Sequence, residues 1–199
     1  MLNKCATYLT NKLNNNINFS NEEKDIYVYG FELLLSTLLS TISIFAISLA
    51  YKNIFFFLFF ILFFYSLRLF CGGFHAKTYL QCFILTNLIF VSTIVLSKVV
   101  MLLNLKNIMP LLVFLGFCVI FYYAPIENGN HPYSKTKYQK FRIISRILAM
   151  VYMLIFLCVY VFVDTDIIVI NASWSYIWVS LMIVIAKLKE KGGKSNACF

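Results

Sequence analysis

Six long apolar stretches alternate with short polar connections along most of the chain. They cover approximately residues 31–51, 54–70, 82–103, 109–126, 143–163 and 167–188. Each stretch has 17 to 22 residues, and a helix needs about 20 residues to cross about 30 Å of hydrocarbon. The pattern therefore predicts an all-α, polytopic membrane protein with about six transmembrane helices.

The segment before the first apolar stretch, residues 1–30, has a different pattern. Apolar side chains recur there at steps of four, three and four residues: Leu2, Ala6, Leu9 and Leu13. This spacing is typical of an amphipathic helix, which either lies on the membrane surface or packs on the protein's own connections. Ser20 and Glu23 then form a capping-box pattern that predicts the start of the next helix.

Composition supports this class of protein. Of the 199 residues, 61% are hydrophobic and 13% are charged, whereas soluble domains are about 45–50% apolar and about 25% charged. A soluble enzyme and a secreted disulfide-rich domain are therefore excluded. We expect one membrane-embedded domain over residues 1–199, with a cytoplasmic or interfacial segment at 1–30 and a cytoplasmic tail at 189–199.

The distribution of positive charge predicts an orientation. The chain carries 17 Lys and Arg against 8 Asp and Glu. If both termini are cytoplasmic, fourteen of the basic residues face the cytoplasm and only Lys52, Lys98 and Lys106 face outward. This bias places the connections 68–81 and 127–142 in the cytoplasm. The excess charge then indicates contact with anionic lipid, and no nucleic-acid partner is expected.

The connection 68–81 contains the residues that could take part in a chemical reaction. His75, one of two histidines, follows Gly72-Gly73 and precedes Cys82 by seven residues. An imidazole that takes the proton of a thiol produces a thiolate nucleophile. In one straight helix the pair would be about 10.5 Å apart, and proton transfer needs about 3 Å. We therefore predict that His75 lies on a loop or re-entrant turn that folds back over the start of the Cys82 helix.

Simpler interpretations of these residues remain open at this point. His75 could be a polar anchor at the membrane interface, and Cys82 could be a small apolar residue within a span. Cys71, His75 and Cys82 could supply three metal ligands, but no second close pair of ligands accompanies them. We predict neither a metal site nor a cofactor, and Cys71 is interpreted as a packing residue.

The run Arg-x-x-x-Gly-Gly-x-His-Ala at 68–76, followed by Cys82, resembles the signature of the accessory gene regulator B family. The chain length, the polar N-terminal segment, the multiple spans and the basic connection opened by Tyr123-Ala124-Pro125 also fit this family. Its members are membrane-embedded cysteine endopeptidases of bacterial quorum sensing. The resemblance implies a multi-pass protein of the bacterial cell membrane in which two copies pair.

The resemblance also implies a mechanism. Cys82 attacks a peptide bond of a small propeptide, and His75 acts first as general base and then as general acid. The attack releases the acidic C-terminal tail of the propeptide and leaves a thioester. A Cys or Ser of the substrate then closes a thiolactone or lactone ring, which gives the autoinducing peptide.

Further residues have candidate supporting roles. Arg68 and Gly73 match positions that the family uses beside the dyad; Arg68 could instead mark topology and contact lipid phosphate, and Gly73 supplies backbone freedom. Gln81 could donate a hydrogen bond to the oxyanion, although a regular helix would point it away from Cys82. A basic group on the next cytoplasmic connection is a candidate for binding the acidic tail, for contact with the inner leaflet, or for both: Lys135, Lys137 and Lys140.

Two other classes of function compete with a peptidase. A small polytopic transporter or exporter without peptidase activity would place ionisable groups or broken helices at mid-membrane. The interiors of the spans contain almost no ionisable groups, which argues against ion-coupled transport. A non-enzymatic assembly or receptor subunit is opposed only by the motif of His75 and Cys82.

Overall fold

The computed structural model describes residues 2–14, 20–72, 79–126, 134–162 and 166–195, and these residues are almost wholly helical. Eight α-helices follow one another: α1 (Leu2–Asn14), α2 (Asn21–Ala50), α3 (Ile54–Phe59), α4 (Ser66–Cys71), α5 (Tyr79–Leu102), α6 (Met109–Tyr123), α7 (Lys135–Phe162) and α8 (Asp166–Ser195). A π-helical turn, Phe60–Tyr65, joins α3 to α4, and a 3₁₀ turn, Lys106–Ile108, precedes α6.

Six helical segments of the described chain are long and apolar enough to cross a membrane. They are Glu23–Ala50, Ile54–Cys71, Tyr79–Leu102, Lys106–Tyr123, Lys135–Phe162 and Val169–Lys189. The predicted fold class, an all-α polytopic membrane protein, is confirmed. The second segment has 18 residues and is therefore about 27 Å long, which is enough for a span.

Helix ends differ from the predicted boundaries where polar residues continue a helix. The capping box is confirmed, since the Ser20 hydroxyl accepts the Glu23 N–H at 3.3 Å and Glu23 accepts the Ser20 N–H at 2.9 Å. The predicted connections over 68–81 and 127–142 are too long. Residues 68–71 belong to α4, 79–81 belong to α5, and 135–142 form the first turns of α7. Ser134 begins that helix, because its carbonyl and hydroxyl oxygens accept the N–H groups of Tyr138 and Lys137.

The second span contains an aromatic turn. Phe60, Phe63 and Phe64 of the π-helical turn are buried, and the rings of Phe60 and Phe64 stack with centroids 4.5 Å apart. The hydroxyl of Tyr152 on α7 donates to the Ser66 hydroxyl at 2.8 Å. Ser66 in turn donates to the carbonyl of Leu62, one turn earlier. Aromatic packing and this polar chain fix the helix that leads to the motif connection.

The described residues group into two compact units. The first consists of Met1–Tyr51 and Ala76–Leu88, and the second of Lys52–His75 and Ile89–Phe199. In the first unit α1 packs on α2, with Ala6 and Thr10 buried. The amphipathic N-terminal helix is therefore present and packs at least partly on the protein itself. The expectation of one domain over residues 1–199 stays a prediction.

Two polar contacts of the first unit show that α2 and α5 run parallel. Glu32 is hydrogen-bonded to Tyr79, and Ser43 donates to Asn87 at 2.7 Å. The sequence number rises in the same direction along both helices. The start of α2 and the start of α5 therefore lie at the same side of the first unit.

In the second unit α8 forms the centre. Its buried residues include Ile170, Tyr176 and Ile183. Helix α6 approaches it closely at Gly116, where an added Cβ would lie 3.2 Å from the Ser180 Oγ and 3.3 Å from the Tyr176 ring. Small residues permit close approach of helices in membranes, where packing takes over from the hydrophobic effect.

The contact at Gly116 gives a test of this packing. Gly116→Leu should lower the Tm in detergent by about 5 °C, because a larger side chain overpacks the α6–α8 interface. Gly30→Leu is the matched control, since an added Cβ at Gly30 meets no atom within 4 Å. Circular dichroism on heating measures both variants. Equal Tm values for the two variants would contradict the packing described here.

Candidate active site

Cys82 lies where the third span begins. It is the fourth residue of α5, its side chain is half-buried, and its carbonyl oxygen accepts the Thr86 hydroxyl at 2.8 Å. A thiol on the first turn of a span is near the edge of the hydrocarbon, where a peptide chain can reach it from the water. The neighbouring Gln81 is exposed, about 100° around the helix from Cys82.

Two predicted site residues, Gly73 and His75, lie outside the described residues. The prediction that His75 folds back over Cys82 therefore stays a prediction. The described residues do show how the preceding helix ends. Helix α4 stops at Cys71, and Gly72 has φ +69° and ψ −137°. L-residues rarely adopt this backbone conformation, so glycine is favoured there.

Gly72 is paired with Ile126, the residue before the second predicted connection, 127–142. It forms an isolated parallel bridge with Ile126, whose N–H donates to the Cys71 carbonyl at 3.0 Å. A Cβ on Gly72 would lie 2.2 Å from the Ile126 carbonyl oxygen. One backbone pairing in the second unit thus joins Gly72, the last described residue before the motif connection, to Ile126, the last described residue before the next connection. Sequence spacing gave no sign of this pairing.

Arg68 is placed near the end of α4. Its side chain is half-buried, its guanidinium carbon lies 5.9 Å from the centroid of the Phe64 ring, and Nη1 contacts the Met182 sulfur on α8. A guanidinium beside an aromatic ring is held by a cation–π attraction. These contacts hold the side chain within the second unit near the motif.

Helix α4 also contacts the basic helix α7. The Ser145 hydroxyl lies 2.9 Å from the Phe70 carbonyl oxygen and 2.7 Å from that of Phe141. The Phe70 and Phe141 rings meet edge to face at 5.8 Å, and the Lys137 ammonium lies 5.6 Å from the Phe141 centroid. The start of α7 is therefore joined to the helix that carries Arg68.

The three candidate lysines of α7 are exposed but do not form one stripe. At 100° per residue, Lys137 and Lys140 lie about 60° apart, whereas Lys135 lies about 140° from Lys140. Arg146, two turns later, is half-buried; its Nε donates to the Phe121 carbonyl at 3.3 Å. The first turns of α7 therefore present positive charge in several directions, and Arg146 ties the helix to α6.

An apolar cavity of about 220 Å³ lies in the first unit beside the start of α5. Three of its lining residues, Tyr79, Leu80 and Phe83, surround Cys82 in sequence. The others come from α1 and α2: Leu2, Ser36 and Leu39. The cavity is large enough for an apolar side chain within one helical turn of the thiol.

Glu32 is a polar residue of this region that the sequence analysis missed. It lies inside the first span, and its carboxylate accepts the Asn3 side-chain amide at 2.8 Å and is hydrogen-bonded to Tyr79. The available signal was an acidic residue at the second position of an apolar stretch. Ionisable residues within spans are commonly functional.

Cys71 is buried, in agreement with its interpretation as a packing residue. Within the described ranges, no group of three His, Cys, Asp or Glu side chains could hold a metal ion. His75 is outside those ranges, so the prediction of no metal site stays a prediction.

The fold and the helix-mouth cysteine define a polytopic helical membrane protein with a candidate thiol site at the start of its third span. The family model of accessory gene regulator B matches residues 5–184. The chain therefore belongs to the accessory gene regulator B family, and this membership supports a role in processing quorum-sensing peptides. The predicted family assignment is confirmed.

Two relatives come from Clostridium perfringens. An AgrB-like protein of strain SM101 is 28% identical over 184 residues, which cover 89% of this chain and 83% of the relative. AgrB-like protein 2 of strain 13 is 27% identical over 182 residues, covering 88% and 82%. No solved structure matches this chain.

The pairing of Gly72 with Ile126 gives a prediction about peptide processing. Gly72→Ala should reduce processing at least about tenfold, since the new methyl group would collide with the Ile126 carbonyl and the backbone would be strained. Gly30→Ala, in open space, should retain the wild-type rate. Release of peptide product by the protein in liposomes measures both. A wild-type rate for Gly72→Ala would show that the pairing is dispensable.

Proposed function

We propose that this protein is a membrane-embedded cysteine endopeptidase that removes the C-terminal tail of a small propeptide and promotes its cyclisation. The observation that carries the proposal is the position of Cys82, a half-buried thiol on the first turn of a span, seven residues after His75. A thiol and an imidazole are together sufficient for nucleophilic cleavage of a peptide bond. The fold and the family membership support this chemistry.

The proposed reaction has two transfers of an acyl group. His75 takes the Cys82 proton, and the sulfur attacks the carbonyl carbon of the scissile peptide bond. The C–N bond then breaks, the leaving amine takes the proton from His75, and the tail departs. A thiol or hydroxyl of the peptide, deprotonated by His75, attacks the resulting thioester. The C–S bond breaks, and Cys82 regains its proton as the ring closes.

The membrane environment favours cyclisation over hydrolysis. Passing an acyl group from one thiol to another is nearly isoenergetic, whereas attack by water would release a linear peptide. Exclusion of water from a reacting centre prevents this kind of side reaction. Cys82 is half-buried, and the neighbouring cavity is apolar. The cavity would hold an apolar side chain of the propeptide near the thiol.

Charged and polar residues around the motif would bind and orient the propeptide. Arg68 would pair with a carboxylate of the peptide, because guanidinium groups bind carboxylates through two parallel hydrogen bonds. Gly73 would supply backbone freedom before His75, and Gln81 would donate to the oxyanion. Exposed lysines on the first turns of α7 would attract the acidic tail: Lys135, Lys137 and Lys140.

The proposed orientation has both termini and Cys82 at the cytoplasmic face of the cell membrane. It rests on the charge bias of the connections. It is supported by the parallel arrangement of α2 and α5, which brings the N-terminal segment and Cys82 to the same side of the first unit. A newly synthesised propeptide would meet the thiol at this face. An exporter without peptidase activity remains the competing function.

Substitution of the dyad tests the proposal directly. In liposomes that contain only the purified protein and its propeptide, Cys82→Ala and His75→Ala should abolish release of the tail, because each removes a group that the first transfer needs. Cys158→Ala is the matched control; Cys158 is an exposed cysteine of α7 and should be dispensable. Mass spectrometry of the released tail measures the rate.

Two other results would contradict the proposed function. Cleavage at the wild-type rate by Cys82→Ala would exclude the thiol mechanism. Uptake of uncleaved propeptide by wild-type liposomes, without release of a tail, would favour the exporter.

Reversal of charge on α7 tests recognition of the tail. The triple variant Lys135→Glu, Lys137→Glu and Lys140→Glu should raise KM at least about tenfold at low salt and leave kcat within about twofold, because exposed charges contribute to encounter more than to chemistry. With a propeptide whose tail acids are changed to amides, the wild type and the triple variant should have similar KM values. An unchanged KM for the acidic propeptide would assign these lysines to lipid contact alone.

A further inference from the structure

Glu32 is the last of three carboxylates in the first span, after Glu23 and Asp25. The chain has 8 acidic residues. In sequence order, the acidic residue before Glu32 is Asp25 and the one after it is Glu127. Glu32 is half-buried and lies on α2 within the segment Glu23–Ala50. A carboxylate within a span is costly unless it has polar partners, so its contacts are informative.

The partners of Glu32 come from two other helices. The side-chain amide of Asn3 on α1 donates to the carboxylate at 2.8 Å. The hydroxyl of Tyr79 on α5 is also hydrogen-bonded to it, and Tyr29 of α2 lies near enough to Tyr79 to interact electrostatically. One carboxylate thus joins α1, α2 and α5 within the first unit.

This contact fixes the turn that carries the nucleophile. Tyr79 is the first residue of α5 and lies three residues before Cys82. The first N–H groups of a helix have no partners within the helix, and helix ends therefore fray. Ser43 and Asn87 join α2 and α5 on the other side of Cys82. Cys82 is held between a contact at the helix end and a contact deeper in the span.

We propose that Glu32 is a positioning residue for Cys82: through Tyr79 and Asn3, its carboxylate fixes the first turn of α5 and the start of α1. This inference rests on the proposed function for the role of Cys82. The carboxylate acts as an acceptor of hydrogen bonds and has no part in proton transfer. An amide oxygen accepts hydrogen bonds as one carboxylate oxygen does, so the proposal predicts that Glu32→Gln is better tolerated than Glu32→Ala.

Four variants of the full-length protein in liposomes test this inference: Glu32→Ala, Glu32→Gln, Tyr79→Phe and, as control, Tyr8→Phe. Glu32→Ala and Tyr79→Phe should lower kcat at least about tenfold and change KM less than about twofold, because displacement of a reacting atom by about 1 Å can cost about 100-fold in rate. Glu32→Gln should keep kcat within about threefold of the wild type. Tyr8→Phe loses a hydroxyl from an exposed residue of α1 and should match the wild type.

A second measurement does not depend on catalysis. The rate at which a water-soluble maleimide alkylates Cys82, located by peptide mapping, should rise several-fold in Glu32→Ala and Tyr79→Phe, because a loosened first turn exposes the thiol. Wild-type kcat and alkylation rate in both variants would overturn the proposal. Equal losses in Glu32→Ala and Glu32→Gln would also overturn it, since they would assign the effect to the charge.

The proposed function and the positioning role of Glu32 can be disproved separately. If Cys82→Ala still cleaves the propeptide, the proposed function is wrong, whatever Glu32 does. If Cys82→Ala is inactive while Glu32→Ala and Tyr79→Phe keep the wild-type kcat, only the positioning role is wrong. Tyr79→Phe removes a single oxygen atom, so its result tests the contact even if Glu32→Ala does not fold.

Discussion

The need to satisfy backbone hydrogen bonds inside hydrocarbon determines the rest of this structure. No water is available there, so each span is a helix whose N–H and C=O groups bond within the segment. In the described part of the chain, irregular backbone is confined to the helix ends, and Arg68, Cys82 and the basic group lie within two turns of such ends. The π-helical turn Phe60–Tyr65 departs from the regular α-helix within a span; the Ser66 hydroxyl donates to the Leu62 carbonyl in this turn and accepts a hydrogen bond from Tyr152.

Much of the fold could be predicted from the sequence because the membrane makes periodicity and length decisive. The six apolar stretches correspond to six helical segments long enough to cross a membrane, and the capping box at Ser20 and Glu23 is present. Helix ends were less predictable. Residues 135–142 are mostly polar, which favours a connection, but lysine and arginine are good helix formers and Ser134 supplies a cap.

The candidate site was predictable only as a set of residue types. Sequence spacing selected Cys82 as the candidate nucleophile, which stays a proposal; the structure shows that Cys82 lies on the first turn of α5. Sequence spacing could not identify the partner of Gly72, because Ile126 is distant in sequence and contributes a backbone N–H. It also missed Glu32, because the importance of that carboxylate depends on Tyr79 and Asn3, which only tertiary packing brings to it. Contacts between distant segments carry no local signal.

The proposed chemistry requires a thioester between Cys82 and the peptide, and an intact-mass measurement detects this intermediate. Purified protein in liposomes is mixed with propeptide, quenched in acid and analysed by mass spectrometry. We predict a covalent adduct whose mass equals that of the protein plus the tail-less peptide. Neutral hydroxylamine should remove the adduct, and peptide mapping should locate it on Cys82. Tail release with no adduct at any quench time, or an adduct on another residue, would contradict the account.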